Sequence, residues 1–251
     1  MVKASHRRVY ELPGGTYHEP VTNRILAALP EGEYKHLLPY LGFVTLRSKQ
    51  TLYEPNVPMR FVYFPNSGMI CLIAVMRDGA SVEVGVIGNE GFVGTPLLLG
   101  VRTTPIRAQV QIAGSAFSIN AEALQAIVPR TPRFELMLRG FIHVQAFQLA
   151  QSAACNRFHQ VEERLARWLL MARDRAGSNV LPLTHEFLAE MLGTRRSTVT
   201  VAAAALQRAG LIDYGRGRVR IVDRTGLEKS ACECYKVNRQ QIERFVFALK
   251  P

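Results

Sequence analysis

A chain of 251 residues, 48% of them hydrophobic, suits one large or two ordinary domains and is too apolar to be disordered or fibrous. Its formal charge of +11 points to a polyanionic partner, nucleic acid ahead of a membrane surface. Residues 157–251 hold 17 basic and 10 acidic groups against 14 and 10 in the longer stretch 1–156, so the surplus gathers on the C-terminal side, as in a DNA-binding module.

In chain order, residues 1–20 read as a loose basic arm, and Met1–Gly15 lacks the apolar core of a signal peptide. Val21–Leu29 and Tyr34–Leu41 suggest short helices separated by Pro30-Glu31-Gly32. From Phe43 to Ile119 the pattern is one of short strands: Arg60–Phe64, Met69–Met76, Ser81–Ile87 with Val82, Val84 and Val86 on one face, Arg107–Ile112 and Ala116–Ile119. Pro65-Asn66-Ser67-Gly68 is a turn by composition, and Asp78-Gly79 is a hairpin signal. Many short strands with close turns predict a small barrel or jelly roll.

From Pro132 the period becomes helical. Phe134, Leu138, Phe141, Gln145, Gln148, Ser152 and Cys155 fall near a 3–4 spacing, apolar in the first half and small or polar in the second. Such a stripe predicts a long helix that packs on the barrel and on a second subunit; the alternative is an intrachain core helix. Val161–Ala172 is amphipathic, with Leu165, Trp168, Leu169 and Ala172 on one face, and Arg175–Asn179 is a loop.

Thr184 is the expected N-cap of a helix ending at Leu192, with Gly193 as its C-cap. A second helix opens near Arg195, buries Val199, Ala202, Ala203 and Leu206, and ends at Ala209-Gly210. Two short helices joined by a glycine turn match a helix-turn-helix. The second helix starts with Arg195, Arg196, Ser197 and Thr198, donors that reach phosphates and base edges, followed by Thr200, Val201 and a slim run Ala202–Ala205. Leu211–Tyr214 and Val219–Val222 read as strands flanking the basic tip Gly215–Arg218, a wing that sets Arg216 and Arg218 over the phosphate backbone.

The stretch Leu183–Asp223, LTHEFLAEMLGTRRSTVTVAAAALQRAGLIDYGRGRVRIVD, resembles the C-terminal domain of Crp/Fnr-type regulators. The resemblance extends through Cys155–Leu170 and Gly226–Tyr235. In the strand-rich half, Tyr63–Gly79 and Val82–Gly94 are similar to the family's cyclic-nucleotide-binding-like β-roll. It implies an α+β fold: a jelly-roll-like sensor at 21–131, a dimerisation helix at 132–157 and a winged helix-turn-helix at 158–251. It also implies a homodimer in the cytoplasm that reads a two-fold-symmetric double-stranded operator and in some members touches RNA polymerase.

Two positions depart from the family pattern. Arg196 matches the first arginine of family recognition helices, but Ser197 stands where Glu is common and Val201 where a second Arg is common, so a different operator is expected. In the β-roll, Gly94-Thr95 stands where cyclic-AMP binders carry Gly-Glu, and Arg107-Ala108 is the candidate phosphate pair. Glu90, Thr95, Arg107 and Ala108 are therefore the candidate ligand residues, and the expectation is a degenerate pocket with no cofactor. The alternatives are a cyclic-nucleotide-responsive regulator with a working pocket and a protein-interaction adaptor without DNA.

Other chemistries find little support. No nucleophile elbow, P-loop or HExxH motif indicates an enzyme, and Glu54, Glu83 and Glu90 are scattered carboxylates. Cys71, Cys155, Cys232 and Cys234 form no CxxC pair, so reduced thiols and no metal are expected; Cys232-Glu233-Cys234 offers two ligands with no second pair in view. His143 is a remote candidate haem ligand. No apolar run of about 18 residues predicts a membrane span.

Overall fold

The computed structural model describes residues 9–11, 18–215 and 217–249. Strands β1 (Val9–Glu11) and β2 (His18–Pro20) pair antiparallel with Val9 opposite Pro20, so these parts of the arm expected to be loose form a ladder. The remainder of the arm lies outside the described residues. Helix α1 (Arg24–Ala28) starts at Asn23, whose side chain accepts from Leu26 N. Helix α2 (Glu31–Leu37) begins directly after Pro30, earlier than Tyr34, because Pro suits a helix start and Glu31 and Glu33 meet its positive end.

The β-roll is built from two antiparallel sheets. Strands β3 (Gly42–Leu46), β4 (Thr51–Tyr53), β5 (Phe61–Pro65), β6 (Met69–Val75), β7 (Ser81–Ile87), β8 (Ile106–Ile112) and β9 (Gly114–Asn120) assemble in the orders β3-β9-β5 and β4-β8-β6-β7. Between β7 and β8 lies the short helix α3 (Thr95–Leu98). Leu46, Phe64, Ile70, Phe92, Val110 and Phe117 fill a shared core, closed by α4 (Ala121–Ile127) and by the 27-residue helix α5 (Pro132–Phe158).

Every residue of the stripe predicted on α5, from Phe134 through Gln145 and Gln148 to Cys155, is buried within this one chain. The stripe thus seats α5 within its own chain, on the β-roll at Phe134, Leu138 and Phe141 and against the connection before the last helix at Cys155. The face left open carries Leu136 with Ala146, Ala150 and Ala153, and His143 is exposed on it.

Helix α6 (Val161–Ala176) runs four residues past its expected end and stops at Gly177, whose left-handed φ of 64° needs no Cβ. It is buried continuously from Arg164 to Ala172, because the β-roll covers one side and the DNA-binding elements the other. Beyond it come β10 (Val180–Leu181), α7 (His185–Leu192), α8 (Arg196–Arg208), β11 (Ile212–Gly215), β12 (Arg218–Ile221) and α9 (Arg224–Ser230), the strands in the order β10-β12-β11. The last helix, α10 (Cys234–Ala248), returns to α5: Phe245 meets Phe141 at 5.9 Å between ring centroids, and Leu249 joins the β-roll core. By packing, α10 belongs with the sensor, although its place in the chain put it in the stretch 158–251.

The outer face of the four-stranded sheet holds the winged domain. Met69, Cys71, Ile73 and Val86 pack with Leu165, Leu169 and Leu188. Glu83, buried in the same layer, accepts the Trp168 indole N–H at 2.7 Å, and Ser81 Oγ donates to Glu190 at 2.9 Å. A Cβ on Gly193 would stand 2.9 Å from Val82 Cγ2, so the turn between α7 and α8 rests on β7.

Candidate nucleic-acid interface and β-roll cavity

The helix-turn-helix follows from local chemistry. Thr184 Oγ1 accepts from Phe187 N and starts α7, and Gly193 ends it in the left-handed region at φ 57°. Val199, Ala202, Ala203 and Leu206 anchor α8, which leaves Ser197 and Val201 on the opposite, open face, flanked by Arg196 and Thr200. The run Ala202–Ala205 divides: Ala202 and Ala203 pack inward, and only Ala204 and Ala205 face outward in part. Arg195 and Thr198, expected on the same surface, are exposed but look across an open cleft at Met76, Ala80 and Val82 of the β6–β7 hairpin.

Among the described residues the Arg196 side chain has one ion pair, an exposed contact with Glu186 at 3.4 Å that water screens. Val201 is 68% exposed, a large apolar side chain kept in solvent beside the arginines. Arg218 begins β12 at the wing and is exposed; Arg220 pairs across the hairpin with Asp213 at 2.8 Å. Arg216 lies outside the described residues.

Sequence reasoning missed the residues that brace this surface. His185 stacks on Tyr214, ring centroids 4.0 Å apart, and its backbone N–H donates to the Tyr214 hydroxyl. Its Nδ1 lies 3.0 Å from Thr200 Oγ1, whose hydroxyl also donates to the Arg196 carbonyl, so a proton on Nδ1 suits both bonds. Burial, followed by the Arg196 charge, lowers the His185 pKa, which keeps the ring neutral beside the arginine. The wing is thereby fixed to both helices. Arg208, seven residues after Val201, is a further cation on the outward side that helical periodicity could have identified.

The β-roll cavity contrasts with this surface. It measures about 140 Å³ and is lined mainly by apolar groups, among them Met59, Leu72, Val84, Val93 and Leu149. Of the four candidate ligand residues, Thr95 and Ala108 reach it. The Thr95 hydroxyl is committed to Gln145 Oε1 of α5 at 2.6 Å. Arg107 points instead to Glu54 at 3.1 Å on the surface, and Glu90 forms a buried ion pair with Arg175 of α6 at 2.6 Å. The carboxylates that looked scattered in sequence thus each have a structural partner: Glu54 holds Arg107, Glu83 holds Trp168 and Glu90 holds Arg175.

Known proteins agree with this architecture. Residues 43–131 match the cyclic nucleotide-binding domain and residues 163–230 the Crp-like helix-turn-helix domain. The transcriptional regulator SdrP of Thermus thermophilus is 27% identical over 201 residues, covering 75% of this chain and 93% of SdrP. A crystal structure from Eubacterium rectale, assigned to the crp/fnr transcriptional regulators, superposes with a TM-score of 0.66 at 17% identity, over 80% of this chain and 94% of that one. The c-di-GMP-responsive global regulator CLP of Xanthomonas campestris superposes with a TM-score of 0.64 at 20% identity, over 76% and 99%. At these identities the two structures share the fold. No helix among the described residues is long and apolar enough to cross a membrane. With both domain types in family order around one long helix, the chain belongs to the Crp/Fnr family of DNA-binding transcription regulators.

Proposed function

We propose that the chain acts as a cytoplasmic homodimer that reads a two-fold-symmetric operator through α8 and holds the phosphate backbone with its wing, without a cyclic nucleotide in the β-roll. The observation that carries this reading is the open face of α8, where Arg196, Ser197 and Val201 stand in solvent beside the Arg218 wing. Arginine at the start of a recognition helix can bridge guanine in the major groove, and an apolar side chain one turn on suits a thymine methyl. Two half-sites need two copies, and the open α5 face with Leu136, Ala146, Ala150 and Ala153 supports pairing of long helices there. The tight, apolar cavity with its polar groups committed elsewhere supports a sensor that no longer takes a nucleotide, since ligand pockets usually span about 300–1,000 Å³.

The test is a binding assay of the purified chain against fragmented genomic DNA over a salt series. We expect a few fragments retained above bulk DNA, with affinity falling log-linearly in salt. Equal retention of all fragments overturns sequence-specific reading. Sedimentation is expected to give a dimer at micromolar concentration; a monomer that binds its operator at full affinity overturns the dimer.

A further inference from the structure

We propose that Cys155, His159, Cys232 and Cys234 form a tetrahedral zinc site at the junction of the long helix and the DNA-binding domain. Sequence order hid it, because the pair missing beside Cys232-Glu233-Cys234 lies about 75 residues upstream on another element. Cys155 sits in the last turn of α5 and His159 four residues later, just past the helix end, so both occupy one face. Cys232 lies in the connection from α9 to α10, and Cys234 opens α10.

The four donor atoms all lie within 4.8 Å of one another. Cys155 Sγ is 3.6 Å from Cys232 Sγ, and Cys234 Sγ is 3.6 Å from His159 Nδ1. Zinc bonds of about 2.3 Å to sulfur and 2.0–2.1 Å to nitrogen set tetrahedral edges of roughly 3.5–3.8 Å, so closure needs shifts of about 1 Å at most. The three cysteines are 4% exposed or less and stand apart from both apolar cores.

The surroundings also match a metal. His159 turns Nδ1 to the sulfurs while Nε2 lies 3.0 Å from the Glu233 carboxylate, the carboxylate–histidine arrangement that orients metal-bound imidazoles. Gln151 Nε2 donates to Cys234 Sγ at 3.0 Å. Arg164 and Arg167 are buried in the adjoining α6, each with an Nε that has no partner; Arg164 donates to the Leu192 carbonyl, and the Arg167 charge also acts on Glu83. Two cations in that position call for negative charge nearby, and three thiolates around one divalent ion supply a net −1.

Soft sulfur with one imidazole in a closed tetrahedron selects zinc over hard cations. A polynuclear iron–sulfur cluster spreads its ligand sulfurs over several irons and needs a wider cage than this one. On binding, the thiols release their protons to solvent and no redox step is involved. The ion would bond the end of α5 to the start of α10 and so set how the winged domain leaves the long helix.

The test uses the full chain purified under reducing conditions. We expect near one zinc per chain by elemental mass spectrometry, and, after exchange for cobalt, the intense visible bands of a tetrahedral thiolate complex. Cys232→Ser and Cys234→Ser should bring the metal content to background. If either fails to fold, Glu233→Gln serves instead: it leaves all four ligands and should weaken metal affinity about 10- to 100-fold in a chelator competition. Background metal in folded wild-type chain, a pale octahedral cobalt spectrum, or metal content and affinity unchanged in these variants overturns the proposal.

Discussion

The α8 surface and the β-roll cavity both descend from recognisable family patterns, and they differ in what their polar groups are doing. On α8, Arg196 makes a screened contact with Glu186, and Ser197 and Val201 face solvent. In the cavity, Thr95 is tied to Gln145, while Arg107 and Glu90 are engaged elsewhere by Glu54 and Arg175. A live recognition surface keeps donors uncommitted until the ligand arrives; a site whose donors have found internal partners must break those bonds before it can bind. Fold and motif alone do not separate these cases, and the hydrogen-bond partners support the difference proposed between them.

The largest expected effect lies in the sheet that separates the two regions. Burial raises the Glu83 pKa to about 7, offset in part by the Trp168 hydrogen bond and the Arg167 and Arg175 charges, with the Cys71 thiol also facing it. A carboxyl whose folded pKa is raised stabilises the fold below the unfolded value of about 4.5 and loses that contribution as pH climbs to about 7. Between pH 5.5 and 8 wild type should therefore lose about 2 kcal/mol that Glu83→Gln does not lose, read from denaturant midpoints. Parallel pH profiles for the two proteins would show that Glu83 does not titrate between the regions.

Next in size is Arg196→Ala, which should cost about 1–3 kcal/mol and relax preference at one base pair in a binding-site selection. Arg218→Ala should instead weaken all sequences alike and reduce the salt slope by about one unit. An altered preferred sequence in Arg218→Ala with Arg196→Ala unchanged would exchange the roles of helix and wing. For the cavity, calorimetry with cyclic AMP should give no binding heat, whereas micromolar binding abolished by Arg107→Ala would make it a working site. The smallest effect is on stability: Arg107→Ala removes a half-exposed pair with Glu54 and should change it by less than about 1 kcal/mol in thermal melts.

Local pattern carried most of the helix-turn-helix, because the Thr184 cap, the Gly193 terminator and the Val199–Leu206 spacing act within a few residues of one another. Glu83 was not readable as buried, since the helix that covers it lies 85 residues away and gives no sign in a strand's alternation. The α5 stripe was visible, but periodicity marks a buried face without naming its partners, which are the chain's own β-roll and, at Phe141 and Cys155, α10 and the connection before it. The four ligand-bearing positions at the junction were separately ordinary and become a group only when α10 folds back.

That return of α10 has a practical consequence for anyone dividing the molecule. A cut ahead of α6, where the family boundary invites it, would carry Phe245 and Leu249 away with the DNA-reading piece and leave Phe141 uncovered on the other. Each fragment would present a fresh aromatic patch to solvent, so the two would tend to aggregate or to find each other again. The last helix is laid back against the first half, and neither half should be expected to stand without the other.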